Sequence, residues 1–289
     1  MMGAIIGDIV GSVYEWHNIK TKQFPLFRKD CFFTDDTVMT VAVAEAVMNG
    51  GSDKDFIDAM KKYGRMYPDA GYGGRFGSWL FSDSREPYNS WGNGSAMRVS
   101  PVGWIMSCGF YCRTGCWPAN GQDMARRSAA VTHNHPEGEK GAMAVADAIF
   151  IGRLYRGKWV EDYGEGPMLP TVDDCKSLIR RCMEEQYGYD LSKSLDEIRP
   201  TYKFNESCQD TVPQAVIAFL ESTSFKDAIR NAISLGGDSD TLAAITGSIA
   251  EAVYGIPKWI MDEAWTFLDD PLRDVCRRWH NFIKEEAMP

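Results

Sequence analysis

Hydrophobic residues recur along the chain with the spacing of α-helices, and the alternation typical of β-strands is scarce. Residues 38–48 and 242–254 are apolar or alanine almost all round, which predicts two helices buried in the core. Ser52 and Asp55 form a capping-box pattern after the first helix, and Gly255 ends the second. Shorter helices are predicted at residues 212–220 and 225–235, and an amphipathic closing helix at residues 271–286.

The pattern contains no internal repeat and no low-complexity tract that would divide the chain. Residues 159–172 are polar and carry Gly and Pro, but helical patterning resumes on both sides of them. This stretch is therefore predicted to be a surface excursion rather than a linker. We predict an all-α fold in which residues 1–289 form a single compact multi-helix domain with long functional loops.

Composition and charge narrow the class of protein. The chain is 44% hydrophobic, which is enough for a sizeable core, and its formal net charge is −9. This charge disfavours tracking of a phosphate backbone, so no nucleic-acid partner is predicted. The apolar residues 1–13 contain Asp8 and no basic start, and no run is long enough to span a bilayer. We therefore predict a cytoplasmic protein without a membrane partner. We also expect a monomer, although no sequence feature bears on the oligomeric state.

The eight cysteines are scattered and are predicted to be reduced thiols. Cys108, Cys112 and Cys116 recur every four residues, which would also suit a metal cluster. Their spacing matches neither the common zinc nor the common iron–sulfur patterns, and it suits one face of a helix. Structural thiols are therefore the favoured interpretation.

Carboxylates gather at the N-termini of the two buried helices. Each N-terminus carries acids and threonines, namely Thr34, Asp35, Asp36 and Thr37 at one and Asp238, Asp240 and Thr241 at the other. Ordinary helix capping explains either set alone. Together they bring four aspartates, and no Lys or Arg, to what should be the core, where uncompensated like charges are costly. Oxygen ligands without Cys or His suit Mg²⁺, Mn²⁺ or Ca²⁺, so a binuclear metal site is the second interpretation.

The N-terminal segment adds a third acidic element. Glycines at positions 3, 7 and 11 leave one helical stripe without side chains, which predicts close backbone packing or ligand approach. Asp8, Ser12 and Glu15 are spaced to share one helix face. Glu15 would then orient or deprotonate water at the metals, or it would be a surface residue near a helix end; spacing alone leaves both open.

Two further segments are candidates for ligand binding. The Gly-rich turn of residues 91–98 runs into a predicted helix and could present backbone amides to a phosphate. Within it, Trp91 either stacks on a base or packs in the core, and Arg98 either meets a phosphate or forms a buried ion pair. His133 and His135 lack further zinc ligands and are predicted to point in different directions, so that one reaches the site.

These segments together resemble the ADP-ribosylglycohydrolase family, which includes dinitrogenase reductase-activating glycohydrolases. The matching motifs, in chain order, are Gly7-Asp8 through Glu15, Thr34-Asp35-Asp36-Thr37, Gly92-Asn93-Gly94-Ser95-Ala96-Met97-Arg98, Thr132-His133-Asn134-His135-Pro136 and Gly236-Gly237-Asp238-Ser239-Asp240-Thr241. Five motifs in order, spread over nearly the whole chain, make the resemblance specific.

The resemblance implies an all-α fold with two Mg²⁺ or Mn²⁺ ions at its centre. The metal ligands it implies are Thr34, Asp35, Asp36, Asp238, Asp240 and Thr241. Of these, Asp238 could instead orient another ligand without contacting a metal ion itself. It implies that Glu15 is catalytic, and that Asn93, Gly94, Ser95 and His133 hold the diphosphate and ribose of ADP-ribose. Trp91, in the same Gly-rich turn, is our further candidate for substrate binding.

The implied reaction removes ADP-ribose from an acceptor, which is a protein arginine or serine side chain or a small ADP-ribose conjugate. Two other classes stay open: a metal-dependent phosphohydrolase acting on a nucleotide, and a non-catalytic ADP-ribose-binding protein. Acceptor choice is expected to depend on loops outside the shared motifs, with residues 69–89 and 108–122 as the candidates.

Overall fold

The computed structural model describes residues 1–106, 119–156 and 171–286, and within these ranges the chain is built from α-helices with no β-strand. The predicted all-α fold class is confirmed. The helices are α1 (Met2–Gly11), α2 (Asp35–Met48), α3 (Asp53–Met66), α4 (Gly74–Phe81), α5 (Gly94–Met97), α6 (Ser100–Ile105), α7 (Ala119–Ala130), α8 (Pro136–Tyr155), α9 (Val172–Arg181), α10 (Leu195–Ile198), α11 (Cys208–Leu220), α12 (Phe225–Ser234), α13 (Ser239–Tyr254), α14 (Lys258–Phe267) and α15 (Asp270–Glu286).

The two central helices, α1 and α13, pack backbone against backbone. A Cβ atom placed on Gly7 would lie 2.0 Å from the carbonyl oxygen of Ala243, and one on Gly11 would lie 2.4 Å from Cα of Asp240. Only glycine permits so close an approach. Of the two roles predicted for the glycine stripe, the structure shows close backbone packing, which fixes α1 beside the acidic N-terminus of α13.

The other helices surround this pair, and the helices for which both bounds were predicted end within one residue of the predicted position. Helix α2 is buried along nearly its whole length, and α3 begins with the predicted capping box between Ser52 and Asp55. Helix α11 starts earlier than predicted and contains Pro213. The bridge between Gly92 and Ser207 joins the start of α11 to the segment before α5. Aromatic and aliphatic side chains from these helices form one hydrophobic core.

Some predictions fall on parts of the chain that the structure does not describe. Cys108, Cys112 and Cys116 lie outside the described residues, as do residues 157–170, which make up most of the predicted surface excursion. The described cysteines are buried free thiols. Among the described helices, none is long and apolar enough to cross a membrane.

Candidate metal centre and adjoining turn

Asp8 of α1 holds the N-terminus of α2. Its buried carboxylate accepts hydrogen bonds from the amide and hydroxyl of Thr34, at 2.9 and 2.6 Å, and from the amide and hydroxyl of Thr37. Burial raises the pKa of Asp8, and these hydrogen bonds oppose the rise. Asp8 is therefore fully used in fixing the first acidic N-terminus.

Asp36, in the first turn of the same helix, has a different environment. One carboxylate oxygen, Oδ2, accepts a 3.0 Å hydrogen bond from the hydroxyl of Thr241 on α13. The other, Oδ1, is buried and has no hydrogen-bond partner among the described residues. A buried carboxylate oxygen without a partner is costly, and a bound cation is the usual compensation.

The N-terminus of α13 is shaped by backbone conformation rather than by a cap. Gly236 and Gly237 adopt positive φ angles of 67° and 73°, and the amide of Gly237 donates to the side-chain oxygen of Asn18 at 2.7 Å. Asp238 follows as the N-cap residue, but its side chain accepts no hydrogen bond from the helix. Instead, its Oδ2 accepts from the side-chain amide of Asn93 at 2.6 Å.

The carboxylates of the two N-termini converge into two groups. One contains Asp8, Asp36 and Asp240, and the other contains Glu15, Asp238 and Asp240; within each, one ligand atom per residue lies within 4.8 Å of the others. Asp240 belongs to both. Of the predicted ligands, Asp35 belongs to neither group, and the hydroxyl of Thr34 donates to Asp8 while accepting from the amide of Asp36.

The charges in these groups are mutually repulsive. Burial, and then the charge of Asp240, raise the pKa values of Asp35 and Asp36 well above the usual range, while burial and Asp238 do the same for Asp240. Burial also raises the pKa of Asp238 to about 6. Over the described part of the chain, no ion pair to Lys or Arg offsets them. The donor atoms are all oxygens, the carboxylates are buried and repel one another, and Oδ1 of Asp36 lacks a hydrogen-bond donor. Such a donor set fits a hard divalent cation.

Glu15 does not lie on the helix face that its spacing predicted. Helix α1 ends at Gly11, and Glu15 follows in an irregular turn whose first hydrogen bond joins the amide of Tyr14 to the carbonyl of Gly11. The side chain of Asn18 ties this turn to Gly237. Glu15 still reaches the second carboxylate group, and burial followed by the charge of Asp240 raises its pKa to about 7.

The Gly-rich turn adjoins the metal groups. The side chain of Asn93 is buried and contacts Thr211 and Asp238, and that of Ser95 donates to the carbonyl of Gly138 at 2.7 Å. These two side chains hold the turn in place. Half-buried Gly94 and the 49% exposed Trp91 are the more accessible members of the predicted set.

His133 lies beside this turn and is held by a chain of hydrogen bonds. Arg98 donates to the hydroxyl of Thr132 at 2.8 Å, and that hydroxyl lies 2.7 Å from Nδ1 of His133. The opposite nitrogen, Nε2, lies 3.1 Å from the position that a Cβ of Gly94 would occupy. Burial, followed by the charge of Arg98, lowers the pKa of His133 well below its usual range, so the ring is neutral.

The remaining candidates have structural roles in the described contacts. Arg98 is buried and also donates to the carbonyl of Ser128; neither a phosphate-facing position nor an ion pair with a described carboxylate is observed. His135 accepts a hydrogen bond from the amide of Glu137 at the start of α8, whereas His133 contacts Thr132. Sequence reasoning missed Asn18 and the anchoring role of Asp8. A lone acid in an otherwise apolar, glycine-striped helix was the available signal for Asp8.

Known proteins resemble this chain in sequence and fold. A model of the ADP-ribosylglycohydrolase family matches residues 1–284. The chain is 27% identical to ADP-ribosylhydrolase ARH3 from Mus musculus, in an alignment covering 92% of this chain and 85% of that protein. It is 26% identical to ADP-ribosylarginine hydrolase Tri1 from Pseudomonas putida, over 92% of this chain and 73% of that protein. It is 24% identical to ADP-ribosyl-[dinitrogen reductase] glycohydrolase from Rhodospirillum rubrum, over 88% and 84%.

A solved structure shares the fold. It is titled an ADP-ribosylglycohydrolase-related protein complex, and it superposes with a TM-score of 0.66 at 22% identity over 99% of this chain and 96% of that one. The fold is thus that of an all-helical protein with an acidic centre between two buried helices. The chain belongs to the ADP-ribosylglycohydrolase family.

Proposed function

We propose that this protein is a metal-dependent glycohydrolase that removes ADP-ribose from a mono-ADP-ribosylated protein or from a small ADP-ribose conjugate. The observation that carries the proposal is the pair of carboxylate groups sharing Asp240, with Glu15 in one of them. Family membership over residues 1–284 supplies the substrate class.

Two divalent ions, Mg²⁺ or Mn²⁺, would be held by Asp36, Asp238 and Asp240 together with Thr34, Asp35 and Thr241. When bound, they would supply positive charge that orients the ribose hydroxyls and offsets charge developing in the reaction. The unpartnered Oδ1 of Asp36 and the repulsion among the aspartates support this assignment.

Glu15 would transfer a proton during cleavage at the anomeric carbon of the ribose. Departure of the acceptor gives that carbon oxocarbenium character, and a carboxylate with a pKa near neutrality can either deliver a proton to the leaving group or take one from water. In the metal-free protein, burial and the nearby Asp240 raise the pKa of Glu15 to about 7, and Glu15 lies in one carboxylate group with Asp240.

The Gly-rich turn would hold the diphosphate. Backbone amides around Gly94 are the accessible donors, because the side chains of Asn93 and Ser95 are engaged with Asp238 and Gly138. Neutral His133 would add a hydrogen bond through Nε2, and exposed Trp91 would stack on a ribose or base. The cytoplasmic location and the monomeric state remain predictions from the sequence.

Two peptides of one sequence test the proposal, one mono-ADP-ribosylated on arginine and one on serine. A mass-spectrometric time course with Mg²⁺, Mn²⁺ or EDTA should detect metal-dependent release of intact ADP-ribose from at least one of them. Release of phosphate alone would instead identify a phosphohydrolase. Binding of ADP-ribose without any release would identify a binding protein.

Variants of two glutamates sharpen this test. Glu15→Gln should lower kcat by about 100- to 10,000-fold, the usual effect of losing a general acid or base, and should retain ADP-ribose binding by calorimetry. Glu263→Gln, an exposed position on α14, is the matched control and should behave like the unaltered protein. A Glu15→Gln protein with full turnover would refute the catalytic assignment.

A further inference from the structure

Arg98 is a buried cation that meets only neutral groups. It follows α5, is 1% exposed, and forms no ion pair with a carboxylate in the described part of the chain. Its Nη2 donates to the carbonyl of Ser128 at 3.0 Å and to the hydroxyl of Thr132 at 2.8 Å, and its guanidinium carbon lies 5.6 Å from the centre of the Phe76 ring. Burial lowers the pKa of Arg98 to about 10, so the side chain stays charged at neutral pH. An unpaired buried charge is costly, and its field acts on the groups around it.

The direction of the hydrogen bonds at Thr132 follows from this arrangement. A guanidinium carries donors and no acceptor, so the hydroxyl oxygen of Thr132 accepts from Arg98. Because Thr132 is fully buried, its hydroxyl proton needs an acceptor inside the protein. Among the described contacts, the only other partner of this hydroxyl is Nδ1 of His133, at 2.7 Å. Thr132 therefore donates to Nδ1.

This direction fixes the tautomer of His133. A neutral imidazole has one protonated and one unprotonated nitrogen, so an Nδ1 that accepts leaves the proton on Nε2. Nε2 lies 3.1 Å from the position that a Cβ of Gly94 would occupy and 3.6 Å from that of Gly92. His133 therefore presents an N–H donor to the Gly-rich turn. With the opposite tautomer, the hydroxyl proton of Thr132 would lack an acceptor among the described residues.

We infer that Thr132 and Arg98 are positioning residues for ADP-ribose binding, which fix His133 as an Nε2–H donor without contacting the substrate themselves. The inference rests on the proposed function, in which His133 binds beside the diphosphate, and it assigns the residues that make this histidine a donor. A diphosphate oxygen only accepts hydrogen bonds, so it gains from an Nε2–H and would be repelled by an unprotonated Nε2.

The charge of Arg98 matters because the neighbouring centre is acidic. The two carboxylate groups repel an anionic diphosphate, and Arg98 is the only basic residue in the Gly-rich turn of residues 91–98. Each hydrogen bond in a chain polarises the next, so the charge of Arg98 strengthens the donor at Nε2. Arg98 thereby acts on the diphosphate through Thr132 and His133 rather than by direct contact.

Nuclear magnetic resonance tests the tautomer in the full chain, independently of any activity. The four histidines are labelled with nitrogen-15, and His133→Gln identifies the signals of His133. At neutral pH these signals should show a proton on Nε2 alone, whereas the exposed His17 and His280 should show averaged tautomers. A proton on Nδ1 of His133 would overturn the inference.

Two variants of Thr132 test its positioning role. Thr132→Val removes the hydroxyl at nearly constant volume, so calorimetric affinity for ADP-ribose should fall by about 3- to 10-fold, the usual effect of one hydrogen bond. KM for a cleaved conjugate should rise by a similar factor with kcat little changed, because His133 binds ground state and transition state alike. Thr132→Ser keeps the hydroxyl and should restore affinity to within about twofold.

Thr246→Val is the matched control for loss of a buried threonine hydroxyl. Thr246 is as fully buried as Thr132, and its hydroxyl donates to the carbonyl of Ala215 at 2.9 Å. This variant should lower Tm about as much as Thr132→Val does, and it should leave ADP-ribose affinity within about twofold of the unaltered protein.

Variants of Arg98 test its part in the chain of hydrogen bonds. In Arg98→Lys the new side chain is also a donor only, so the Nε2–H tautomer should persist. In Arg98→Gln the side-chain oxygen can accept the proton of Thr132, which frees the hydroxyl oxygen to accept from Nδ1, so a fraction of Nδ1–H should appear. The same tautomer in both variants would refute the role assigned to Arg98.

The results distinguish this inference from the proposed function. Equal ADP-ribose affinity of Thr132→Val and the unaltered protein, or a loss that Thr132→Ser does not restore, would overturn the inference and leave the proposed function standing. Release from neither conjugate, with the expected tautomer and affinity loss, would overturn the proposed hydrolysis and leave the positioning role standing. A protein that does not bind ADP-ribose at all would overturn both.

Discussion

The N-termini of α2 and α13 carry the same chemistry but are held by different means. At α2, the carboxylate of Asp8 accepts four hydrogen bonds from Thr34 and Thr37, so this N-terminus is fixed by a satisfied buried acid. At α13, Gly236 and Gly237 set the backbone with positive φ angles, the side chain of Asn18 bonds the backbone of Gly237, and that of Asn93 donates to the carboxylate of Asp238. No side chain caps α13.

This difference distinguishes an acid whose hydrogen bonds hold the helices in place from an acid whose oxygen is available to bind a metal ion. Asp8 and Asp36 are both buried in one carboxylate group with Asp240, yet Asp8 is saturated with donors while Oδ1 of Asp36 has none among the described residues. A saturated carboxylate contributes to stability without any ion, because its charge is compensated by hydrogen bonds. An unsaturated one destabilises the metal-free protein and gains most from a cation.

The largest effect should come from separating the two N-termini. In Gly7→Ala the new Cβ would lie 2.0 Å from the carbonyl of Ala243, so α1 and α13 must move apart. We expect the free energy of unfolding to fall by about 4 kcal/mol or more, beyond ordinary overpacking, as measured by urea denaturation. Gly74→Ala, where nothing lies within 4 Å of the new Cβ, should be neutral or slightly stabilising. Equal stability of the two variants would contradict the observed packing.

Asp36→Asn should mainly affect metal binding. The substitution removes the carboxylate whose Oδ1 has no hydrogen-bond partner. Residues that only orient a metal ligand cost up to about 100-fold in affinity when replaced, so loss of a ligand should lower metal affinity by about 100-fold or more. The metal-induced rise in Tm should disappear, and activity with it. In EDTA the variant should be no less stable than the unaltered protein, because a repelled charge has gone. Asp262→Asn, at an exposed position paired with Lys258, is the control.

Asp8→Asn should have the smallest effect of the three and the opposite character. An amide in place of the carboxylate turns one acceptor into a donor that faces the donors of Thr34 and Thr37. We expect the free energy of unfolding in EDTA to fall by about 2 kcal/mol, with metal binding weakened only through the displaced helix. If instead the variant kept its stability in EDTA and lost metal binding outright, Asp8 would be a ligand and not an anchor.

The helices could be predicted from the sequence to a large extent because their signals are local. The apolar stretches behind Thr34 and Asp238, and the capping box at Ser52, depend on residues within a few positions of each other, and the structure contains all three features. The oxygen-rich donor set was also readable, since Asp and Thr without Lys or Arg restrict the chemistry regardless of geometry.

The detailed geometry was less predictable because it depends on contacts between distant segments. Asp8 and Glu15 share a helical spacing, but α1 ends at Gly11, where its backbone meets Asp240, so only Asp8 is on the helix. The side chains of Asn93 and Ser95 were predicted to hold ADP-ribose, and in the structure they contact Asp238 and Gly138. These contacts produce no periodic pattern in the sequence from which they could have been predicted.

The sequence by itself determined the fold class, the ends of the predicted helices and the oxygen-rich donor set, because each follows from residue type and short-range spacing. Only the tertiary structure decided which acid is satisfied and which is not, and which exposed ring stacks on which. Those outcomes depend on partners far away in the chain, such as Thr241 for Asp36 and Phe204 for Trp16. Hydrogen bonds and stacking act over a few ångströms in space, whatever the separation along the chain.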